Sequence, residues 1–397
     1  MAKSAIDGGD PVCAKPFPSW PQWGDDERKA ITGAVRENIW GTLGPRAMEL
    51  AKKFPEYCGA KHGVSVTSGT VALELIIRAL GIGYGDEVIV SPYTFVATIS
   101  AIAIAGATPV IADIELPSYN ISPESFENLI TSKTKAVICV HVAGLPCDMD
   151  KINATAKKHG IYVIEDASHA HGAEYGGKKT GSLGDAAAFS FQNSKNLSSG
   201  EGGIIVTNDE KIYAECWRYH HSGRALEGAS NLIGTNARMT EFQAAVLLPQ
   251  LERYEQQLKK RIENAVYLKD KLCGIKGISV QFAEAPGIKH ACHLFMVALD
   301  DKNDGGRDEW VSALNAEGIP ASRGYINLTK EGFLSLDNKY FRKITGSKID
   351  YASLSLPNAE KAVRSTIWMH GSVLLSEREE LDKIAEAFDK VSRFIIN

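Results

Sequence analysis

The chain has 397 residues, 44% of them hydrophobic, and a formal net charge of -4 at pH 7. That length suits about two or three domains, and the even spread of charge, with no basic block, points away from nucleic acid and anionic membrane surfaces and toward small molecules as partners. No apolar run approaches the ~18–20 residues that span a bilayer and the Met1 to Gly9 stretch has no signal-peptide core, so a cytoplasmic, membrane-free protein is expected.

In chain order, the first predicted element of note is a helix over Thr70 to Leu80, with Ala72, Leu73, Ile76, Ile77 and Leu80 on one stripe. β-branched runs follow at Glu87 to Ser91, Thr108 to Ala112 and Ala136 to His141, then a helix over Met149 to His159 with Asp148 as its N-cap. Further strands are predicted at Tyr162 to Glu165, Ala187 to Phe191 and Gly203 to Thr207. This alternation implies an α/β class with a mostly parallel central sheet. From Thr240 a long amphipathic pattern runs toward Leu272, with a kink expected at Pro249, and it bridges two domains. Strands at Ile278 to Gln281 and His293 to Leu299 and helices at Glu309 to Glu317 and Glu377 to Val391 give a smaller α+β unit. The division expected is an N-terminal arm with a large cofactor-binding domain over 1–250, and a linker helix with a smaller C-terminal domain over 251–397.

One lysine stands apart from the others. In Phe189-Ser-Phe-Gln-Asn-Ser-Lys195-Asn-Leu-Ser-Ser-Gly-Glu-Gly-Gly203 it sits between two short apolar strands, in a turn of small residues and away from other charges. Partial desolvation lowers a lysine's proton affinity and frees the amine for Schiff-base formation with a carbonyl. The obvious carbonyl is the aldehyde of pyridoxal phosphate. Four other features fit such a site. Thr67-Ser68-Gly69-Thr70 precedes a helix, where N–H groups receive a phosphate, although the same residues also serve as an ordinary cap. Asp166 closes a strand at the carboxyl edge of the sheet, where ligands bind; it is placed either to keep a pyridine nitrogen protonated or to cap a turn. Phe95 follows a strand and is either a stacking partner or a core aromatic. Ser190 precedes the lysine by five residues and offers a hydroxyl.

Together, Thr-Ser-Gly-Thr, Pro-Tyr-Thr-Phe, Glu-Asp-Ala-Ser-His-Ala-His-Gly and the lysine turn resemble the DegT/StrS family of pyridoxal-phosphate aminotransferases over nearly the whole chain. The resemblance implies fold type I of the pyridoxal-phosphate enzymes, the aspartate-aminotransferase type, acting as a homodimer with shared sites. It implies that Lys195 carries the internal aldimine, that Asp166 pairs with the pyridine nitrogen and that His169 lies beside the ring. Phe95 would stack on the cofactor, and Ser68, Gly69, Thr70 and Ser190 would hold its phosphate, completed from the neighbouring subunit by Asn236 or Arg238 in Gly234-Thr-Asn-Ala-Arg238. Family members that dehydrate sugars have histidine at the lysine position, so Lys195 favours transamination from glutamate or glutamine to a keto acceptor. Gln192, where many nucleotide-sugar enzymes of the family have histidine, together with Phe17 to Gln22 and Trp368-Met-His370, resembles the branch of scyllo-inosose aminotransferases and amino-hydroxybenzoate synthase. A keto cyclitol or keto sugar is therefore the expected acceptor. A synthase that dehydrates or aromatises an amino-cyclohexenone, a nucleotide-sugar aminotransferase and a cofactor-binding regulator are the alternatives. Arg224 and Arg323 are candidate diphosphate donors, and Tyr325, Asn327 and His370 candidate readers of ring hydroxyls.

Other constellations carry less. Gly81-Ile-Gly-Tyr-Gly85 lacks dinucleotide-loop spacing, and His290, Cys292 and His293 on a strand would face both ways, so no metal is expected. The seven cysteines are scattered without a C-x-x-C pair and read as reduced thiols.

Overall fold

The computed structural model describes residues 3–225, 232–282, 285–303 and 306–396. Residues 3–24 form an arm, followed by α1 (Asp25–Arg36), α2 (Pro45–Cys58), β1 (His62–Val66), α3 (Gly69–Ala79), β2 (Glu87–Val90), α4 (Val96–Ile104) and β3 (Thr108–Ile111). Next come α5 (Pro123–Asn128), β4 (Thr134–Val140), α6 (Met149–His159), β5 (Tyr162–Asp166), a short hairpin of β6 (Glu174–Tyr175) and β7 (Lys178–Lys179), β8 (Ala186–Ser190), β9 (Gly203–Thr207) and α7 (Glu210–His220). The long α8 (Glu241–Leu272) leads to β10 (Ile278–Val280), β11 (Ile288–Lys289), β12 (Leu294–Leu299), α9 (Arg307–Ala316), β13 (Ala321–Ser322), α10 (Lys339–Thr345), α11 (Pro357–Ser365), β14 (Thr366–His370) and α12 (Arg378–Ile396).

Seven strands form the central sheet in the order β1-β9-β8-β5-β4-β2-β3. The pairs β2–β3, β2–β4, β4–β5 and β5–β8 are parallel, and β9 runs antiparallel to both of its neighbours. The parallel strands are short β-branched runs because both faces are covered: Val88, Ile89, Val90, Val137, Ile138 and Ile164 are all buried. Two of the helices carry local end signals. Asp148 accepts from Lys151 N–H at the head of α6 and Gly160 ends it in the left-handed region, while Ser68 does the same for α3 through Val71 N–H. The fold is the α/β class with a mostly parallel sheet that the alternation predicts.

A second, antiparallel sheet, β10-β12-β14-β13, backs onto α9, α12 and the end of α8. Its core of Phe295, Val297, Trp310, Leu314, Ile384 and Phe388 also takes in Cys13, Val12 and Phe17 of the arm. The arm is tied there by Glu317, whose carboxylate accepts from the N–H groups of Ala5 and Val12 and pairs with Lys390. The long helix α8 runs through Pro249 with Ala244, Ala245, Leu247 and Tyr254 buried around it. One expectation needs correction. His293 is not in a strand: Cys292 takes a left-handed φ of 53° and Ala291 and His293 donate to the carbonyls of Gly144 and Ala143, so β12 starts at Leu294.

Among the described residues no helix is long and apolar enough to cross a membrane, and no group of three or more His, Cys, Asp and Glu side chains is gathered to hold a metal ion.

Candidate active site

The carboxyl ends of the parallel strands open into a cavity of about 630 Å³. Its walls come from the head of α3, the segment before α4, the end of β5, the turn between β8 and β9, and the second sheet near His293, Tyr325, Trp368 and His370. This is where an open α/β sheet presents ligands.

Lys195 reaches the cavity from a turn whose backbone is held from several sides. Lys195 N–H donates to Gln192 O at 2.8 Å, and Gln192 Oε1 accepts from both the N–H and the hydroxyl of Ser194. Asn196 Nδ2 donates to Ala291 O at 2.8 Å and to the Tyr254 hydroxyl, and Gln250 on α8 brackets Ser198 through its side-chain amide. Burial pushes the Lys195 ammonium down to about 8, with the Asp166 carboxylate pulling the other way. A substantial neutral fraction is thus present near neutral pH, which a nucleophilic amine requires.

Asp166, the last residue of β5, is buried; its Oδ2 accepts from Thr98 Oγ1 at 2.7 Å and its Oδ1 from Ser168 N–H at 3.3 Å. Thr98 lies one turn into α4, three residues after Phe95, and its hydroxyl also meets Thr94 at 2.9 Å. Phe95 is the N-cap of α4 and is 59% exposed, a large aromatic facing open space at the cavity wall. His169 is buried, its Nε2 lies 3.3 Å from the Tyr325 hydroxyl, and its Nδ1 has no partner. The ring of His293 packs 4.2 Å from that of His169. Burial holds both imidazoles well below their ordinary pKa, helped next by Lys195 at His169 and by His169 at His293, and His370 is lowered by burial as well. The site is therefore walled by neutral rings.

Ser68, Gly69, Thr70 and Ser190 meet at one end. A Cβ on Gly69 would come within 2.8 Å of Ser190 Cβ, and one on Gly203 within 2.4 Å of the Ser68 carbonyl carbon, so both positions demand glycine for the strand and helix to close up. The result is a helix N-terminus flanked by hydroxyls, a cradle for a phosphate. The same cavity is lined by a buried carboxylate, an exposed aromatic and a desolvated amine. This donor set fits pyridoxal phosphate: the cradle would take the phosphate, Phe95 and His169 could border the ring, Asp166 could pair with its nitrogen and Lys195 could meet its aldehyde.

The structure brings Lys195, Asp166, His169, Ser68, Gly69, Thr70, Phe95 and Ser190 to this one cavity. Asn236 and Arg238 lie elsewhere: Asn236 is exposed and bridges His221 through its backbone, and Arg238 Nη1 sits 3.1 Å from His221 Nδ1. Tyr325 and His370 line the cavity, whereas the Asn327 side chain accepts from Thr329 at a turn and Arg323 pairs with Asp308. Arg224 is exposed and outside the lining. Sequence reasoning missed Thr98, His293 and Trp368. Thr98 alone had a local signal, one helical turn from Phe95 on the same face; Trp368 reaches the site through the pairing of the second sheet and His293 through the bonds of Ala291 and His293 to Gly144 and Ala143.

Comparison with known proteins is consistent across the chain. The profile described as the DegT/DnrJ/EryC1/StrS aminotransferase family matches residues 21–389. The chain is 34% identical to L-glutamine:2-deoxy-scyllo-inosose aminotransferase from Streptomyces paromomycinus, covering 98% of this chain and 97% of that protein. It is 36% identical to the spore coat polysaccharide biosynthesis protein SpsC from Bacillus subtilis, with 93% and 95% covered. The solved structure of 3-amino-5-hydroxybenzoic acid synthase superimposes with a TM-score of 0.88 at 31% identity, over 96% of this chain and 99% of that one.

Proposed function

Because the chain belongs to the DegT/DnrJ/EryC1/StrS aminotransferase family and is a pyridoxal-phosphate-dependent aminotransferase, we propose that it moves an amino group from glutamine or glutamate to a keto cyclitol, with Lys195 as the residue that binds the cofactor covalently. The observation that carries the assignment of Lys195 is its desolvated amine within reach of the buried Asp166 carboxylate, with the glycine-closed cradle lining the same cavity. Bound pyridoxal phosphate supplies an aldehyde to receive the amino group and a pyridinium ring to take up electron density. The chain's own residues do the rest. With the cofactor bound, Asp166 would keep its ring nitrogen protonated, Thr98 holds Asp166 in place, Phe95 and His169 would flank the ring, and the Ser68–Thr70 and Ser190 cradle would anchor the phosphate. The Lys195 amine, once free, would serve as the group that takes a proton from the substrate and returns it.

The acceptor class rests on the cavity wall. Among the described residues that line it, Lys195 is the only lysine or arginine, and the wall around it includes Gln192, Ser194, Glu201, Ser322, Tyr325, Trp368 and neutral histidines. A diphosphate calls for guanidinium or ammonium partners, whereas a compact polyhydroxylated ring is read by neutral donors and acceptors. The relative that acts on 2-deoxy-scyllo-inosose by its name supports the same class. Stopped-flow mixing of the aminated cofactor form with acceptors is expected to show a keto-inositol reacting faster than a keto-deoxy nucleotide sugar by about 10-fold or more; the reverse order overturns the cyclitol assignment and leaves the transaminase intact.

We further propose a cytoplasmic homodimer, with a cofactor domain over 1–250 and a smaller domain over 251–397. Asn236 and Arg238 lie outside their own chain's cavity, next to Ile233, which is 96% exposed. Further apolar side chains stand open at Val35, Ile39, Trp40 and Leu43. In the dimer Asn236 and Arg238 complete the partner's phosphate site. Mixing a Lys195→Ala chain with an Asn236→Ala, Arg238→Ala chain tests this: purified heterodimers should recover about half the wild-type rate, because one of the two sites is whole. Heterodimers no more active than either parent would remove the shared site.

A further inference from the structure

The arm segment Phe17-Pro18-Ser19-Trp20-Pro21-Gln22 crosses the back of the lysine turn, stiffened by its prolines. Trp20 Nε1–H donates to the main-chain carbonyl of Lys195 at 3.1 Å. The preceding carbonyl, that of Ser194, lies 2.7 Å from His370 Nε2. A carbonyl only accepts, so His370 carries its proton on Nε2, and its Nδ1 is left to accept from Ser372, whose hydroxyl is 2.9 Å away. Two successive carbonyls of the turn are thus held by ring N–H groups, one from the arm and one from the end of β14. The two rings lie 6.1 Å apart.

Behind Trp20 is Arg261 of α8, fully buried with its guanidinium 4.8 Å from the indole ring. Among the described residues Arg261 has no carboxylate partner; Nη1 makes a long contact to Cys292 O at 3.4 Å, and Nε and Nη2 have none. A buried cation facing the indole makes that ring its main electrostatic counterpart. On α8, Gln250, Tyr254 and Arg261 share one face, and each meets the lysine turn or the ring that braces it.

We propose that Trp20 is a positioning residue for the transamination: its indole N–H, backed by Arg261, fixes the peptide that follows Lys195 and so sets where the amine stands. This rests on Lys195 being the covalent attachment point. A lysine has four side-chain torsions, and only a fixed main chain brings its amine repeatedly to one place. With the carbonyl released, the turn loosens and the side chain spends time facing water.

The test uses apo protein and added pyridoxal phosphate, following covalent capture by absorbance as a function of pH, alongside steady-state kinetics of the holoenzyme. Groups facing Lys195 are Asp166, His169, His171, His293 and His370; none of them is altered. Trp20→Phe keeps a ring over Arg261 and removes the donor. Replacing Trp20 with benzothienylalanine, which keeps the indole shape with sulfur in place of N–H, does the same with minimal disturbance. Both are expected to lower kcat by about 3- to 10-fold, with the KM for the amino donor little changed. Both should also slow capture and move its pH midpoint up from about 8 toward the ordinary lysine value. Capture rate, midpoint and kcat all equal to wild type in the benzothienylalanine protein overturn the proposal, as does a change confined to melting temperature. Absence of capture by the wild-type protein would refute the assignment of Lys195 itself, a different result.

Discussion

Lys195→Ala is expected to remove covalent attachment of the cofactor and to lower turnover by about 10³-fold or more, the amine being both the attachment point and the proton carrier. The fold should survive. Its turn is held through main-chain bonds to Gln192, Trp20 and His370 that alanine retains. Cofactor should still bind reversibly through the Ser68–Thr70 and Ser190 cradle. Borohydride reduction followed by peptide mapping checks the assignment in the wild-type protein: the label belongs on the peptide spanning Phe191 to Gly203. A label on any other lysine would move the chemistry elsewhere. The pH dependence has a definite sign. Burial lowers the Lys195 pKa to about 8, so capture of free cofactor by the apo protein should rise as pH climbs through that value and level off above it.

Asp166→Ala is expected to cost about 10²- to 10³-fold in turnover while leaving the cofactor attached to Lys195, since an oriented buried charge at the ring nitrogen is lost from the site where charge develops. Asp166 also attracts the Lys195 ammonium, so its removal should lower the capture midpoint below about 8. That downward shift is opposite to the one expected for the Trp20 variants, which separates loss of charge from loss of position. Single-turnover rates for the mutant matching wild type would transfer the ring-nitrogen role to another group. Thr98→Val, which removes only the 2.7 Å hydrogen bond to Oδ2, should give a smaller loss of about 3- to 10-fold.

Much of the site was legible in sequence because its residues lie beside local signals. Ser68 caps α3, Asp166 ends a β-branched run, Phe95 follows another, and Lys195 stands in a turn between two strands. Each is placed by the element it adjoins, so reading the element places the residue. α6 is read residue for residue for the same reason, with Asp148 before it and Gly160 after it. What local pattern does not carry is the other wall. β14 was not predicted at all: Thr366 to His370 has no alternation, since its strand is buried almost throughout between β12 and β13. The strand expected over His293 to Leu299 begins one residue later, because bonds to Ala143 and Gly144 bend the chain there and turn the imidazole into the cavity. Tyr325 and His370 were named for their chemistry, and so was Asn327, yet only the first two reach the site. Side-chain type does not tell a turn cap from a substrate contact when the backbone path is set by distant pairing.

The arm's attachments bear on how the molecule is made. The Ala5 anchor to Glu317 closes a span of 312 positions, and the bond from Trp20 to Lys195 one of 175. Contacts at such separations are slow to form because the intervening chain must be ordered first. During synthesis the arm leaves the ribosome before either of its partners exists, so it is expected to stay undocked until residues near 317 have emerged, well after the central sheet can assemble. The lysine turn would then receive its final brace late in folding, and efficient cofactor capture should coincide with completion of the small sheet rather than with formation of the large one.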